Sequence, residues 1–450
     1  MTRMAWCLAV LLCAGCAREA LPPPVVEETP PAREEEGKEK ADEDQAILGA
    51  RLRDLSTAVK GVLVYEVLAG SPADRVGLLT GDWVQAVDGA PVESLCAYQA
   101  ALAKRVPGED VTLAVRRGSE TLTVVVRLGR AFDVYRETCD QGEMLGCLLL
   151  GDIYKFKMAA PADQARARKL FEQACEAGLA EGCGALGDWY LLGWGGLDEA
   201  RAFSFYQQAC RRGSASGCYS YAHLYATGVG VERDDARAID LYVRSCDGGY
   251  PVGCHSAGLM YQQGRGVDPA PEVALELYTK GCTAGSVQAC TELGKSYQHG
   301  QEGVAPDLAR AATHFERGCS GDGCFRKDYD SCASLAVLYR RGQGVPEDKV
   351  RAAQLFEPAC TVGSRADACL DLASMYREAE GIEKNLPKSV ELYRYACASG
   401  SGQSCHNAAA AHESGAGAEV DVALATEYYD QGCAAGYEPS CERVAQLKAR

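Results

Sequence analysis

Cysteine is the residue type whose number and spacing in this sequence point most clearly to chemistry. The chain of 450 residues contains 23 cysteines, and 18 of them form nine pairs whose first members recur about every 36 residues. The pairs are Cys139 with Cys147, Cys175 with Cys183, Cys210 with Cys218, Cys246 with Cys254, Cys282 with Cys290, Cys319 with Cys332, Cys360 with Cys369, Cys397 with Cys405 and Cys433 with Cys441. Cysteines at this density are typical of an oxidising compartment, where they form disulfides.

The spacing within the pairs indicates whether they form disulfides or bind a metal. Seven pairs are eight residues apart, and the pairs that begin at Cys319 and Cys360 are wider. Structural zinc sites favour cysteines two to four residues apart, so we predict disulfides, no metal, no cofactor and no catalytic residue. The histidines are scattered along the chain at positions 223, 255, 299, 314, 406 and 412. For the unpaired Cys96 and Cys324 two alternatives remain open: a bridge between them, or Cys324 in place of Cys319 as the partner of Cys332.

The residues around each pair recur in one register and predict two helices joined by a turn. An aromatic residue stands four positions before the first cysteine and a small residue eight before, offsets that share one helix face. The aromatic residues are Tyr135, Phe171, Tyr206, Tyr242, Tyr278, Phe315, Phe356, Tyr393 and Tyr429. A glycine after the first cysteine ends the first helix in most units, and the second cysteine opens the second helix. A bridge across so short a turn stabilises the fold by roughly 2–3 kcal/mol, and stacked hairpins predict an all-α solenoid over residues 131–450.

The N-terminal residues predict export and a lipid anchor. Arg3 precedes an apolar stretch of about ten residues, which is too short to span a bilayer. The following LCAGC at residues 12–16 resembles a bacterial lipobox, with Cys13 where that motif usually has an aliphatic residue. The resemblance implies a signal peptide over residues 1–16 and lipidation of Cys16; the alternative is an ordinary cleaved signal. Ala17 lacks the aspartate that retains many lipoproteins in the inner membrane, which favours the outer membrane.

Composition limits the partners that the rest of the chain can bind. Residues 17–45 are rich in proline and acidic residues and cannot bury a core, so we expect a disordered tether. The net charge is -16 and the pI is near 5.0, and the sequence has no run of lysine or arginine. These features exclude nucleic acid as the expected partner. No later segment is apolar for long enough to span a membrane, so membrane contact is expected through the lipid alone.

Residues 46–130 change in character and predict a compact α+β domain. GVLVYEV at residues 61–67 predicts a strand, and residues 111–115 and 122–128 predict a hairpin around the turn RGS at 117–119. A helix is expected from Leu95 to Arg105, before Pro107. The order of LGA at 48–50, GVLVYEVLAGSPA at 61–73 and VDG at 87–89 resembles the PDZ domains of HtrA-type periplasmic proteases.

The PDZ resemblance implies a groove that captures peptide ends by strand addition. By that resemblance the backbone amides of Leu48, Gly49 and Ala50 would hold a terminal carboxylate, Arg51 and Leu52 would pair with the peptide, and a helix over residues 94–103 would line the groove. The alternative is that the groove is structural or occupied by the chain itself. Neither GxSxG nor GNSGG occurs, so no protease accompanies the domain.

The repeat over residues 131–450 resembles Sel1-like repeats, which are relatives of tetratricopeptide repeats. Its cysteine pairs are similar to those of the Helicobacter cysteine-rich protein family, for some members of which penicillin binding and weak β-lactamase activity are proposed. The motifs SxxK, SDN and KTG of serine β-lactamases are absent. The sequence therefore predicts an α+β PDZ-like domain followed by an all-α, disulfide-stapled solenoid of nine repeats.

The function expected from these features is a lipid-anchored scaffold that faces the periplasm, most plausibly on the outer membrane. Its groove would capture a peptide C-terminus, and its solenoid would dock a second protein or peptide partner. The alternative is a β-lactam-binding protein or weak β-lactamase of the cysteine-rich family.

Overall fold

The computed structural model describes residues 46–53, 61–156, 161–194, 196–300, 304–320 and 328–449. The signal segment, Cys16 and the acidic tether lie outside these residues. Within them, eight short strands occupy residues 46–130, and helices form nearly all of the rest. This division confirms the predicted fold class.

The strand-rich part is built on an antiparallel sheet. Its strands are β1 (Ala46–Ile47), β2 (Ala50–Arg53), β3 (Val62–Val67), β4 (Trp83–Val87), β5 (Ala90–Pro91), β6 (Asp110–Arg117), β7 (Glu120–Arg127) and β8 (Gly129–Arg130). The main sheet has the order β2-β3-β4-β6-β7, with β5 beside β4, and β1 pairs separately with β8. Val111, Leu113 and Val115 alternate along β6 and are fully buried, because successive strand residues face opposite sides.

Two short helices and one hairpin complete this part. Helix α1 spans Pro72–Arg75, and helix α2 spans Leu95–Leu102 after the N-cap Ser94. Helix α2 ends three residues before the predicted Arg105, because the chain turns at Ala103 ahead of the proline. The predicted β6–β7 hairpin is confirmed, and Arg117 beside its turn donates two bonds of 2.7 Å to the buried Asp82.

The remaining chain folds into helical hairpins. The helices are α3 (Ala131–Asp140), α4 (Met144–Phe156), α5 (Pro161–Glu176), α6 (Ala180–Leu191), α7 (Glu199–Arg211), α8 (Ala215–Thr227), α9 (Asp235–Asp247), α10 (Pro251–Gln263), α11 (Pro271–Thr283), α12 (Val287–His299), α13 (Leu308–Ser320), α14 (Tyr329–Arg341), α15 (Lys349–Thr361), α16 (Ala366–Glu378), α17 (Leu386–Ala398), α18 (Gly402–Ser414), α19 (Val422–Ala434) and α20 (Glu438–Lys448). From α3 onward, we call the odd-numbered helices A helices and the even-numbered helices B helices.

Disulfides join each A helix to the B helix that follows it. Within the described residues the bridges are Cys139–Cys147, Cys175–Cys183, Cys210–Cys218, Cys246–Cys254, Cys282–Cys290, Cys319–Cys332, Cys360–Cys369, Cys397–Cys405 and Cys433–Cys441. Their Cα atoms are 4.3–4.7 Å apart, at the short end of the separations usual for a disulfide. Cys332 pairs with Cys319 across the insertion, so Cys324, which lies outside the described residues, does not replace Cys319.

The glycine that recurs in several B helices has a specific packing partner. A Cβ on Gly187 would lie 2.4 Å from Tyr206, and one on Gly258 would lie 2.5 Å from Tyr278. The partner in each case is the aromatic ring of the next A helix. Successive hairpins therefore stack by placing a buried ring against a residue with little or no side chain, which explains the paired recurrence of these two positions in the sequence.

The longer connections from B helix to next A helix use local hydrogen bonds. Gly228 and Gly264 end their B helices in the left-handed conformation, at φ 75° and 65°. After Gly228 an aspartate caps the next helix, because Asp234 accepts from the backbone N–H of Arg237 at 2.9 Å, whereas the helix after Gly264 starts at Pro271 without a side-chain cap. These are the usual signals for a helix end and a helix start, so the connections are defined by sequence.

None of the helices in the described residues combines the length and the apolar character needed to cross a bilayer.

Candidate peptide groove and solenoid surface

The loop between β1 and β2 has the geometry of a small anion site. Its carbonyls are used within the fold: that of Leu48 accepts from Ala73 N–H at 2.8 Å, and that of Gly49 accepts from Leu68 N–H and Ser71 Oγ, both at 3.0 Å. Among the described residues, the N–H groups of Leu48 and Gly49 meet no acceptor. Both residues are buried, and a buried amide without an acceptor is costly. Two adjacent unsatisfied donors favour a negatively charged ligand.

Strand β2 carries this loop into an open edge of the sheet. It pairs on one side with β3, Ala50 opposite Val67 and Arg51 opposite Glu66, and stands last in the strand order of the described residues. Its other edge can therefore accept a further strand. Arg51 bonds to Glu66 at 3.1 Å and lies 5.1 Å from the ring centroid of Tyr65, also on β3.

Helix α2 and strand β2 share an apolar cluster. Leu52 of β2 and Tyr98 and Leu102 of α2 are buried in it together with Leu48. Burial raises the pKa of Tyr98, and the nearby Tyr135 of α3 adds to the shift. We call the loop 48–50, β2 and α2 the peptide groove. Residues 48 to 52 form one side of this groove, and their role in peptide binding stays a prediction.

A row of tyrosine hydroxyls was not foreseen from the sequence. The aromatic residues of the A helices were interpreted as core, and their rings are buried, but several hydroxyls reach the B helices. Tyr206 donates to Asp188 at 2.6 Å, Tyr278 donates to Gln262 at 2.7 Å and Tyr429 donates to Glu413 at 2.9 Å. The presence of tyrosine and not phenylalanine at these positions was the sequence signal that could have indicated these hydrogen bonds.

Asp188 on helix α6 is a half-buried acid in this row. Burial raises its pKa above the ordinary 3.8, the bond from Tyr206 and the charge of Lys155 oppose the shift, and Asp152 adds to it. A raised pKa means that ionisation of this carboxyl destabilises the folded state. The destabilisation is complete at pH values above the folded-state pKa and absent at pH values below 3.8.

We therefore expect Asp188→Asn to be more stable than the wild type at pH 7, because the amide oxygen still accepts from Tyr206 without a buried charge. This advantage should shrink as the pH falls towards 4 and the wild-type carboxyl takes up its proton. Thermal unfolding of both proteins between pH 3.5 and 8 measures the difference. A difference that does not change with pH would contradict the assignment to Asp188 ionisation.

The B helices of the C-terminal half carry a polar cleft. Helix α10 contacts α12, and α12 contacts α14, so these B helices share one face of the solenoid. Two cavities of about 350 and 340 Å³ lie along this face and share Val337 and Asp371. Their charged lining residues are Lys295, Asp330, Arg340, Arg341, Glu347, Lys349, Arg365, Asp367, Asp371 and Glu380. We call this region the B-helix cleft.

An arginine network holds the cleft in shape. Arg340 donates to Asp371 at 2.8 Å, to Glu380 at 2.8 Å and to Ser374 Oγ at 3.0 Å. Burial raises the pKa of Asp371, and Arg340 and Arg341 oppose the shift. Charges of both signs line the cleft, which suits a polar polypeptide segment more than an apolar small molecule.

In the part of the chain that the structure describes, no three His, Cys, Asp or Glu side chains are grouped as metal ligands. Most of the histidines contact aromatic rings, as His406 does with Tyr429 and Tyr437 at 5.1 and 5.3 Å between centroids. Cys16 and Cys324 lie outside the described residues, so lipidation of Cys16 and a bridge between Cys96 and Cys324 stay predictions.

Comparison with known proteins identifies the strand-rich part. The family model described as PDZ domain matches residues 46–128. A probable periplasmic serine endoprotease, DegP-like, of Chlamydia trachomatis is 40% identical over 68 residues, which are 15% of this chain and 14% of the relative. The chain thus spans about one seventh of the length of that relative.

Comparison of the helical part covers more of the chain. A Sel1 repeat protein from Oxalobacter formigenes has 22% identity and a TM-score of 0.52, covering 71% of this chain and 90% of that one. The Helicobacter pylori cysteine rich protein B has 26% identity and a TM-score of 0.25, covering 28% and 92%.

The family model described as Sel1 repeat matches eight units: 145–179, 180–214, 215–250, 251–286, 287–322, 330–364, 366–401 and 402–437. Each unit of the model runs from a B helix to the next A helix, so α3 and α20 fall outside it, and the disulfides link one unit to the next. If a repeat is instead defined as an A helix and the B helix that follows it, the same bridges lie within the repeats. The matched units span more than half of the chain, which belongs to the Sel1 repeat family and carries a PDZ domain at its N-terminal side.

Proposed function

We propose that this protein is a lipid-anchored scaffold of the cell envelope, in which the peptide groove captures the C-terminus of one protein and the solenoid docks a second. PDZ domains and Sel1 repeats are modules of protein–protein interaction. The observation that supports the proposal is that the backbone amides of the buried Leu48 and Gly49 meet no acceptor among the described residues and lie at the start of β2, the last strand in the sheet order of those residues.

The chemistry of the groove suggests its ligand. A carboxylate would satisfy both amides, and the peptide behind it would pair antiparallel with β2. The side chain of the last residue would then lie towards Leu52, Tyr98 and Leu102, which are apolar. We therefore expect the groove to prefer a free carboxylate after an aliphatic residue.

The B-helix cleft is the proposed site of the second partner. It lies on the face where B helices contact one another, and its lining carries both charges around Val337. Nine bridges within the described residues stiffen the helices that present it. A stiff surface loses less conformational entropy when it binds.

The lipid anchor and the compartment are also part of the proposal. The LCAGC sequence supports lipidation of Cys16, the acidic tether over residues 17–45 would hold the folded part away from the membrane, and the disulfides suit the periplasm. Ala17 favours the outer membrane. Mass spectrometry of the protein purified from membranes would test the anchor, which predicts a diacylglycerol-modified Cys16 as the first residue.

The groove is tested by Gly49→Ala, for which the chain offers a matched control. Gly49 and Gly77 both have positive φ, 75° and 74°, so both substitutions strain the backbone alike. A Cβ on Gly49 would lie 2.3 Å from Ser71 and distort the loop, whereas one on Gly77 meets nothing within 4 Å. We expect Gly49→Ala to weaken binding of C-terminal peptides at least tenfold and Gly77→Ala to leave it within twofold.

The measurement is fluorescence polarisation with peptides selected on the full chain from a library that displays free C-termini. Near-UV circular dichroism confirms that both variants are folded. Selection of no C-terminal peptide by the wild type, or equal affinity in both glycine variants, would contradict the proposed groove.

A further inference from the structure

Helix α17 departs from the repeat pattern at one exposed position. Two residues before the first cysteine of each pair, seven of the nine repeats carry a charged residue or glutamine, as at Gln208, Arg244 and Lys280. Helix α17 has Tyr395 at this position, and this tyrosine is 42% exposed. The preceding A helix, α15, has Pro358 there. Two adjacent repeats therefore present less polar side chains at a position that is otherwise polar.

Tyr395 lines a groove that runs across three A helices. The groove has a volume of about 740 Å³ and extends over α15, α17 and α19, with Thr361 and Tyr428 among its lining residues. Leu392 and Ala398 join the two tyrosines in an apolar floor. A concave, largely apolar surface of this volume is typical of a binding site. We call it the A-helix groove.

The turn after α15 holds the ring of Tyr395 in place. The pair Cys360–Cys369 has a sequence separation of 9, one residue more than in most pairs. Ser364 in this turn adopts a positive φ of 51°, a conformation that residues other than glycine rarely take. The hydroxyl of Tyr395 donates to Ser364 Oγ at 3.2 Å. Backbone strain of this kind concentrates at binding sites, and here it accompanies the contact that orients an exposed ring.

One cation of the groove meets no carboxylate among the described residues. Arg394 donates to the hydroxyl of Tyr428 at 2.9 Å and forms no ion pair in that part of the chain. The other charged lining residues, Lys388 and Glu391, pair with each other at 3.0 Å. A guanidinium beside apolar surface that lacks an acidic neighbour is complementary to a carboxylate supplied by a partner.

We propose that the A-helix groove docks an apolar segment of a partner polypeptide that carries one acidic residue. Its apolar side chains lie against Leu392 and Tyr395, and its carboxylate meets Arg394. Tyrosine and arginine are the residues that most often dominate the binding energy of protein interfaces. The inference goes beyond the proposed function, because the A-helix groove shares no lining residue with the peptide groove or the B-helix cleft.

The test uses the full, disulfide-bonded chain and two pools of fluorescein-labelled decapeptides. Both pools have leucine, isoleucine or phenylalanine at alternate positions and serine between them, with a central aspartate in one pool and a central lysine in the other. All peptides are amidated at the C-terminus, so they offer no carboxylate to the peptide groove. We expect fluorescence polarisation to show that the wild type binds the aspartate pool at least tenfold more tightly than the lysine pool.

Two substitutions separate the apolar contact from the charged one. Tyr395→Gln introduces the residue that α7 has at this position and should weaken binding of the aspartate pool at least tenfold. Arg394→Glu should reverse the preference in favour of the lysine pool, which structural damage alone would not do. Lys280→Gln makes the matching change in α11 and should leave both affinities within twofold. Near-UV circular dichroism checks that each variant is folded.

Every other outcome overturns the inference. Equal affinity of the wild type for the two pools, or binding of neither, removes the acidic apolar ligand. Unchanged binding in Tyr395→Gln removes the location, and loss of binding in Gly49→Ala would assign the peptides to the peptide groove. Sedimentation velocity at rising concentration tests a second copy as the occupant: a wild-type dimer that Tyr395→Gln abolishes would replace the partner polypeptide with another copy of this chain.

Discussion

Removal of one disulfide, by Cys246→Ala together with Cys254→Ala, should lower the free energy of unfolding by about 2–3 kcal/mol. The bridge closes a loop with a sequence separation of 8 and is buried, each cysteine being 1% exposed. Without it the unfolded chain gains conformations, and the turn between α9 and α10 loses its covalent restraint. Urea unfolding of the double variant and the wild type measures the difference.

The effect should also be local. In a stacked repeat each hairpin contacts its neighbours, so loss of one staple weakens nearby helices most. Hydrogen exchange should increase in α9, α10 and the adjoining helices and remain unchanged in the PDZ domain. Peptide mapping of the non-reduced wild type provides the control, because it must show the Cys246–Cys254 bridge. Unchanged stability, or bridges between distant hairpins, would contradict this architecture.

Two glycines of helix α6 should respond in opposite ways to the same substitution. A Cβ on Gly184 meets nothing within 4 Å, whereas one on Gly187 lies 2.4 Å from Tyr206. Gly184→Ala should raise stability by about 0.5–1 kcal/mol, because alanine restricts the unfolded chain and favours a helix. Gly187→Ala should lower it by about 1–3 kcal/mol, as overpacked core positions do.

The ring of Tyr206 cannot easily move away from Gly187. It is 2% exposed, and its hydroxyl is held by Asp188 at 2.6 Å. Thermal unfolding of the two variants, each with the same backbone change in the same helix, isolates the contact from helix propensity. If both substitutions stabilise the protein, the hairpins do not stack through this ring.

Local patterns were sufficient for much of the fold. The offsets of Tyr206 and Cys210 predicted an A helix, and the turn at Gly118 predicted the β6–β7 hairpin, because these signals depend on residues close in sequence. The end of α2 at Leu102 was placed three residues late. Helix ends depend on how the following chain packs, which propensity does not record.

The candidate site was predicted less completely. The residues at 48–52 were named through the PDZ motif, but the packing of Val134 of α3 beside Gly49 was not predicted, because nothing in a local pattern shows which helix rests on a loop. The bonds of Tyr206 to Asp188 and of Tyr278 to Gln262 were missed for the same reason: each joins different helices.

The sequence by itself determined the cysteine register, the two-helix unit and the PDZ motif, since each is expressed in short-range spacing that recurs or matches in order. The tertiary structure alone decided that α3 rests on Gly49, that the tyrosine hydroxyls reach the B helices and that Arg340 and Asp371 share a cleft. Such contacts join residues from different elements, and their positions follow from how whole helices pack against one another.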